Sequence, residues 1–340
     1  MIAPIKDWQA EYGPGVIARH CASLDDYVVL TSPSAWNAVR KEFAHEPRFV
    51  EFVTSQEECY NQSMLMRLPQ AAYVLGIGGG KALDASKLAA WKKHAKLILV
   101  PTVVSSGSVF TTGFPLRREG KLFIIPQTTA PQRVLFDTDV IRSAPPHLNA
   151  AGMSECINHL GGTASWQWWS EQGLDGPPWD KAVADEVKDW VRDRVARYRA
   201  DLDPEGRPGP DAIRTRAEIN RQRRELRISR RKIPMHSLDH LFDNTFIWAH
   251  RRQLLHGEGV ALGSLINCHL CGRHFDEVLS MLRACGTRYL PAEIGCTWPD
   301  VRAALDALPA FNEHVRWGQT FLDRRPLDDE TFAALVGRVI

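Results

Sequence analysis

Residues 74–90 read VLGIGGGKALDASKLAA, and this stretch decides the fold. The run from Val74 to Ile77 is apolar and prone to form a strand, whereas the run from Ala82 to Ala90 is a strong helix former. Three glycines at 78–80 lie between them and predict a strand-to-helix turn. Unpaired amides at the start of a helix, beside glycines that let an anion approach the backbone, favour a bound diphosphate.

The first 145 residues alternate strand-like and helix-like patterns around this turn. The predicted strands cover 27–30, 49–53 and 97–101, and the predicted helices cover 34–44, with Ser32 or Ser34 as the cap, and 56–67. Such alternation predicts a parallel sheet. Helical windows dominate from about Ser143 onward. We therefore predict an α/β nucleotide-binding domain over residues 1–145 and an all-α metal- and substrate-binding domain over residues 146–340.

Composition and charge narrow the class of protein. The net charge of +2 does not by itself predict a polyanionic partner. The seven cysteines are odd in number and scattered, which favours reduced thiols over a disulfide framework. Neither a secretory signal nor an apolar run long enough to cross a membrane is visible. We expect a cytoplasmic protein without a membrane partner.

An arginine-rich segment occupies residues 211–232. Its positive charge would suit nucleic acid or a phosphorylated ligand. Glu218 and Glu225 interleave with the arginines, however, and no aromatic residue lies in the segment to stack on a base. A solvated or partner-facing helix is therefore the favoured interpretation, contact with a phosphorylated ligand remains open, and a nucleic-acid partner is disfavoured.

A second loop is expected beside the glycine turn. Residues 100–112 read VPTVVSSGSVFTT, which ends a predicted strand in a Thr/Ser/Gly loop. Loops that follow neighbouring parallel strands share one crevice, so the two loops should face one ligand. Asp84 lies one turn into the helix that follows the glycines. There it could cap the turn or meet a polar group of a cofactor.

Histidines and one glutamate provide the second chemical signal. Glu155 and His159 lie four residues apart and share one helix face. His240 and His256 follow 16 residues apart, and the second of them opens the sequence HGEGVALG. Each histidine alone is also explained as a capping or core residue. A carboxylate with imidazoles in a helical domain suits a zinc or iron site.

Four ordered motifs carry a resemblance to a known group of proteins. They read GIGGGKALDASK at 76–87, VPTVVSSGSVFTT at 100–112, VLFDTDVIRSAPPHLNAAGMSE at 134–155 and LLHGEGVALG at 254–263. In order and spacing they resemble the dehydroquinate synthase-like superfamily, which includes iron-containing alcohol dehydrogenases, glycerol dehydrogenase and glycerol-1-phosphate dehydrogenase. The resemblance implies a nucleotide-binding domain, a helical domain and a divalent metal in the cleft between them.

The resemblance also implies roles for individual residues. The cofactor-binding set would be Gly78, Gly79, Gly80, Asp84, Thr102, Ser105 and Thr111, and the metal ligands would be Glu155, His240 and His256. His159 is either a fourth ligand, which would favour iron, or a residue that lines the substrate pocket. The interval between His240 and His256 resembles the zinc-using, three-ligand branch, so zinc is favoured over iron.

Cofactor choice depends on the residues after the second strand. An acidic residue there would hold the ribose hydroxyls of NAD, but Ser32 and its neighbours supply hydroxyls instead. The missing negative charge removes repulsion against a 2′-phosphate. We therefore expect either NAD or NADP to bind, with NADP permitted by the sequence.

The resemblance predicts a metal-dependent, NAD(P)-linked oxidoreductase that interconverts an alcohol or polyol, phosphorylated or not, and its carbonyl. The alternative is a sugar-phosphate cyclase or lyase of the dehydroquinate synthase type, which uses NAD transiently. The cyclase branch needs lysines after the second cofactor loop, and here the next lysine is Lys121. Dehydrogenation is therefore the first choice, with a small-molecule substrate and a homo-oligomer, a dimer or larger.

Overall fold

The computed structural model describes residues 9–126, 128–174, 176–231, 233, 238–318 and 320–340. The chain divides into two compact units. The first unit contains residues 1–149 and 201–217, and the second contains residues 150–200 and 218–340. The first unit thus includes a segment, residues 201–217, that lies beyond the predicted boundary at residue 145.

A sheet of six parallel strands forms the centre of the first unit, in the order β1-β8-β5-β4-β2-β3. The strands of this sheet are β1 (Ala10–Gly13), β2 (Tyr27–Thr31), β3 (Phe49–Phe52), β4 (Tyr73–Gly78), β5 (Lys96–Pro101) and β8 (Arg133–Asp137). An antiparallel hairpin, β6 (Phe114–Arg118) with β7 (Lys121–Ile125), lies outside it. The predicted parallel sheet is confirmed.

Both faces of the sheet are covered. Val28 and Leu30 of β2 belong to one apolar core, whereas Val29, between them, belongs to the core on the opposite face. Successive side chains of a strand point to opposite faces, so a strand buried on both sides reads as a continuous apolar run. This explains why the sequence of β2 shows no polar alternation.

Six α-helices lie within the described residues up to Ala150. They are α1 (Val16–Cys21), α2 (Pro33–Val39), α3 (Glu58–Arg67), α4 (Gly80–Lys93), α5 (Thr138–Ser143) and α6 (Pro146–Ala150). Ser32 caps α2, because its hydroxyl accepts a hydrogen bond from the amide of Ala35 at 3.3 Å. The helix predicted over 34–44 is shorter than expected: α2 ends at Val39, and Arg40–Glu42 form a 3-10 turn.

The remaining chain is helical. Its helices are α7 (Ser154–Glu171), α8 (Lys181–Ala200), α9 (Pro210–Gln222), α10 (Arg227–Arg230), α11 (Leu238–His250), α12 (His256–Leu270), α13 (Phe275–Cys285), α14 (Trp298–Val315) and α15 (Asp329–Val339). The described residues of the second unit contain no strand, which confirms the predicted helical class. Within the described part of the chain, no helix combines the length and apolar character that a membrane crossing needs.

The arginine-rich segment is not uniformly solvated. Ile213 and Ala217 of α9 belong to an apolar core of the first unit, and the side chain of Arg216 is only 1% exposed. One face of α9 is therefore buried in the first unit, which the prediction of a solvated or partner-facing helix did not include. Ile213 and Ala217 are an i, i+4 apolar pair, but charged residues surround them in the sequence, so the pattern does not indicate a buried face.

Candidate active site

The glycine turn forms at the carboxyl end of β4. Gly78 has a φ of 136°, a backbone conformation that other residues rarely adopt. Gly79 precedes α4, and Gly80 is the first residue of that helix. A Cβ atom on Gly80 would lie 2.7 Å from the hydroxyl of Ser106. Glycine is thus needed for close packing at this turn, and binding of an anion by the first amides of α4 stays a prediction.

The second predicted loop lies against this turn. The amide of Thr102 donates to the carbonyl of Gly78 at 3.2 Å. The hydroxyl of Ser105 lies 3.7 Å from the position of a Cβ atom on Gly79. The structure therefore brings the two predicted cofactor loops together, and the role of their residues in binding a nucleotide stays a prediction.

A lysine of α4 that was not predicted as a site residue joins the second loop to this helix. Lys87 is fully buried, and its ammonium donates to the carboxylate of Asp84 at 2.7 Å. The same ammonium donates to the carbonyl of Ser108 and to the hydroxyl of Thr111, the latter at 3.4 Å. Asp84 and Thr111, predicted as cofactor-binding residues, are thus parts of a buried network that holds the second loop on α4.

The three predicted metal ligands converge in the second unit. Nε2 of His256 lies 2.9 Å from Oε1 of Glu155, and Nε2 of His240 lies 3.7 Å from the same oxygen. Among the described residues, these three form the one set of at least three His, Cys, Asp or Glu side chains with candidate ligand atoms within 4.8 Å of one another. Each lies in the first turn of its helix as the structure describes it: α7, α11 and α12.

Two aspartates orient the imidazoles. Nδ1 of His240 lies 2.6 Å from a carboxylate oxygen of Asp239, and Nδ1 of His256 lies 2.8 Å from one of Asp243. Since a carboxylate only accepts, each Nδ1 carries the proton and each Nε2 keeps its lone pair in the neutral ring. Metal-ligating histidines almost always donate their other ring N–H in this way.

The charges of this cluster favour a cation. Glu155, Asp239 and Asp243 are all buried carboxylates. Burial alone would lower the pKa of His256, but Asp243 and Glu155 outweigh it and raise the pKa to about 9. Burial likewise opposes ionisation of Glu155, yet the hydrogen bonds and charges of the two histidines hold its pKa well below the usual range. Sites that attract protons so strongly also attract a divalent cation, so these residues fit the metal that the resemblance implies.

His159 and Glu258 do not join this set. His159 is buried one turn after Glu155, and its ring packs against Trp190 with centroids 5.6 Å apart. Burial and the positive charge of Arg223 lower the pKa of His159 to about 3, so its ring is neutral. Glu258, in the HGE sequence, is buried, and burial raises its pKa to about 7.

The fold has counterparts among proteins of known structure. A glycerol dehydrogenase from Schizosaccharomyces pombe superposes with a TM-score of 0.67 at 18% identity, covering 98% of this chain and 88% of that one. An alcohol dehydrogenase from Oenococcus oeni superposes with a TM-score of 0.61 at 15% identity, covering 98% of both chains. The chain therefore has the same fold as this glycerol dehydrogenase and this alcohol dehydrogenase.

Sequence comparison gives the same grouping. Residues 19–145 match the family model for iron-containing alcohol dehydrogenase. The glycerol-1-phosphate dehydrogenase (NAD(P)+) of Methanococcoides burtonii is 25% identical over 281 residues, covering 80% of this chain and 77% of that protein. The corresponding protein of Hyperthermus butylicus is 26% identical over 289 residues, covering 82% and 80%. The chain is thus similar to the iron-containing alcohol dehydrogenases over residues 19–145 and to glycerol-1-phosphate dehydrogenases over most of its length, and the resemblance inferred from the four motifs is confirmed.

Proposed function

We propose that this protein is a metal-dependent, NAD(P)-linked oxidoreductase that interconverts an alcohol or polyol, including phosphorylated polyols, and its carbonyl. The observation that carries the proposal is the convergence of one carboxylate oxygen and two imidazole nitrogens, each imidazole held by an aspartate. The similarity to glycerol-1-phosphate dehydrogenases supports a polyol phosphate as the substrate class.

Glu155, His240 and His256 would hold the metal ion. When bound, a divalent cation at these ligands polarises the carbon–oxygen bond of the substrate. Two imidazoles and one carboxylate are a ligand set that suits zinc with an open position, so we propose zinc over iron. Asp239 and Asp243 accept hydrogen bonds from Nδ1 of the two rings, so that Nε2 of each ring is the atom that would bind the ion. His159, outside the ligand set, would line the substrate pocket.

The glycine turn and the adjoining loop would bind the nucleotide. NAD(P) supplies or accepts the hydride. The first amides of α4 would bind its diphosphate. We propose NADP as the preferred cofactor, because Ser32 and not a carboxylate follows β2, and because Lys81 adds a positive charge nearby. The ammonium of Lys81 donates at 3.2 Å to the carbonyl of Thr54, just after the neighbouring strand β3.

A turnover assay tests the proposed function. Zinc-loaded protein is mixed with glycerol 1-phosphate or glycerol and with NADP or NAD, and the absorbance of reduced nicotinamide is followed. We expect a substrate-dependent rise that His256→Ala abolishes. Release of inorganic phosphate from a sugar phosphate with no net change in nicotinamide would instead assign the cyclase alternative. Turnover without metal would contradict the assigned role of the ligands.

The cofactor proposal has its own test. Calorimetry should give a lower Kd for NADPH than for NADH with the unmodified protein. Ser32→Asp should reverse this order, because the new carboxylate repels the 2′-phosphate and can accept hydrogen bonds from both ribose hydroxyls of NADH. An unchanged order in this variant would exclude Ser32 from the nucleotide site.

A further inference from the structure

Two arginines of the arginine-rich segment differ from their neighbours. Arg221 pairs with Glu218 at 3.0 Å, Arg227 with Glu186, and Arg231 with Asp180 at 3.0 Å. Arg223 and Arg224, in the 3-10 turn between α9 and α10, make no ion pair or side-chain hydrogen bond with any described residue. Two adjacent guanidinium groups therefore lack a counter-charge within the described part of the chain.

The turn that carries them is fixed to α8. The amide of Arg227 donates to the carboxylate of Glu186 at 3.0 Å, and its guanidinium donates to the carbonyl of Ala182 at 2.7 Å. One helical turn after Glu186, on the same face of α8, Trp190 contacts the ring of His159. Helix α8 therefore contacts two features with successive helical turns: Arg227, just after the 3-10 turn, and the ring of His159.

The charge of Arg223 acts on the ring of His159. Burial is the main reason that the pKa of His159 is low, and the charge of Arg223 is the next. Burial also lowers the pKa of Arg224, and Arg223 adds to this effect by repulsion. Since like charges held together favour a bound anion, this corner of the second unit is suited to a group with two negative charges.

His159 connects this corner with the metal ligands. It follows Glu155 by one turn of α7 and lies on the same face of that helix. The charges of Glu155 and His240 both act on its ring. The ring of His159 thus interacts electrostatically both with Arg223 and with the metal ligands, and an anion bound by Arg223 would act on the same ring.

We propose that Arg223 and Arg224 bind the phosphoryl group of a phosphorylated polyol substrate, with His159 between that group and the metal ligands. This inference rests on the proposed function and names residues for its substrate specificity. Arginine is the side chain best suited to a phosphoryl group, because its planar N–H donors match the geometry of the oxygens.

Substitution of each arginine tests the inference. In zinc-loaded protein, Arg223→Gln and Arg224→Gln should each raise KM for glycerol 1-phosphate by about tenfold to a hundredfold, the loss expected for a hydrogen bond to a charged group. Turnover and KM for glycerol should not change, because glycerol lacks the phosphoryl group. Arg230→Gln is the matched control, since Arg230 is exposed and its guanidinium donates to the backbone carbonyl of Glu225.

Direct binding of inorganic phosphate separates this inference from the proposed function. Calorimetry should show a weaker Kd for phosphate in Arg223→Gln than in Arg230→Gln, whether or not any alcohol is turned over. An equal Kd in the two variants would overturn the inference and leave the proposed function intact. Salt-dependent binding of DNA or RNA that is lost in Arg223→Gln, with unchanged KM values, would assign the arginines to nucleic acid and also overturn it. Absence of turnover with every alcohol would overturn the proposed function alone.

Discussion

Asp239 and Asp243 are the residues that would orient the histidine pair toward a metal ion. Without them either ring nitrogen could carry the proton, and the lone pairs would have no fixed direction. The two carboxylates are buried at 1% exposure each, so their charge acts on the imidazoles with little screening by water. Their effect is to leave both Nε2 atoms available to the ion.

Asp243→Asn keeps the size of this side chain and removes its charge. We expect the Kd for zinc to rise by about tenfold to a hundredfold, because His256 loses the partner that fixes its tautomer. Competition with a chromogenic chelator measures this value. Asp276→Asn is the control, since Asp276 is an exposed carboxylate that pairs with Arg338 at 3.0 Å. Equal zinc affinity in the two variants would contradict the role of Asp243.

Zinc affinity should also depend on pH. Burial lowers the pKa of His256 but its carboxylate neighbours outweigh it, and the pKa in the metal-free protein is about 9. Below that value the ring is protonated, so zinc must displace a proton, and acidification weakens binding. We expect the Kd for zinc to rise about tenfold for each pH unit and each displaced proton as pH falls from about 8 to about 6. A Kd that is constant over this range would contradict the protonation state assigned to His256.

Small residues set the distance between α11 and α12. A Cβ atom on Gly263 would lie 2.7 Å from the carbonyl oxygen of Asp239 and 2.8 Å from its Cα atom. A Cβ atom on Gly259 would lie 2.3 Å from Oδ1 of Asp243. The glycines of α12 therefore decide where the two aspartates lie.

Gly263→Ala tests this packing. The new methyl group meets backbone atoms of α11, so the helices must move apart, and we expect a loss of about 1–3 kcal/mol of unfolding free energy. Zinc affinity should fall as well, because Asp239 and His240 move with α11. Gly337→Ala in α15 is the control: a Cβ atom there meets no atom within 4 Å, and alanine should stabilise the helix by up to about 1 kcal/mol. Equal unfolding curves in urea would contradict the close packing.

In the first unit, the buried ammonium of Lys87 determines how helix α4 and the second loop pack together. Lys87→Met removes the buried ammonium from Asp84, and we expect a loss of about 3–5 kcal/mol of unfolding free energy. Affinity for NADPH should fall too, since the loop that contains Ser108 and Thr111 loses its attachment to α4. Asp84→Asn combined with Lys87→Met removes both charges and should recover part of the stability. If the double variant is no more stable than Lys87→Met, the buried ion pair is not what holds this loop.

At the scale of the whole molecule, the sequence predicted what depends on local pattern. The strand-glycine-helix unit of residues 74–90 and the two further strands at its sides lie where the alternation placed them. The ordered motifs predicted a set of three metal ligands, Glu155, His240 and His256. The structure brings their side chains together as a metal site requires.

The sequence did not reveal what depends on packing. Asp243 lies 13 residues before His256, and its role becomes visible only when α11 lies beside α12. Lys87 reads as an ordinary helix former until Asp84, Ser108 and Thr111 are seen around it. Two sequence signals could have predicted these roles. One is the i, i+3 spacing of Asp84 and Lys87. The other is the pair of aspartates, Asp239 and Asp243, four residues apart on either side of His240.

We propose above that Glu155, His240 and His256 together hold one catalytic divalent cation. The most direct measurement is metal content together with NAD(P)-linked turnover in the same samples of native, chelator-treated and zinc-restored protein. We expect about one metal ion per chain in the native sample, loss of turnover with loss of metal, and recovery of turnover on addition of zinc. Full turnover by the metal-free protein would contradict it.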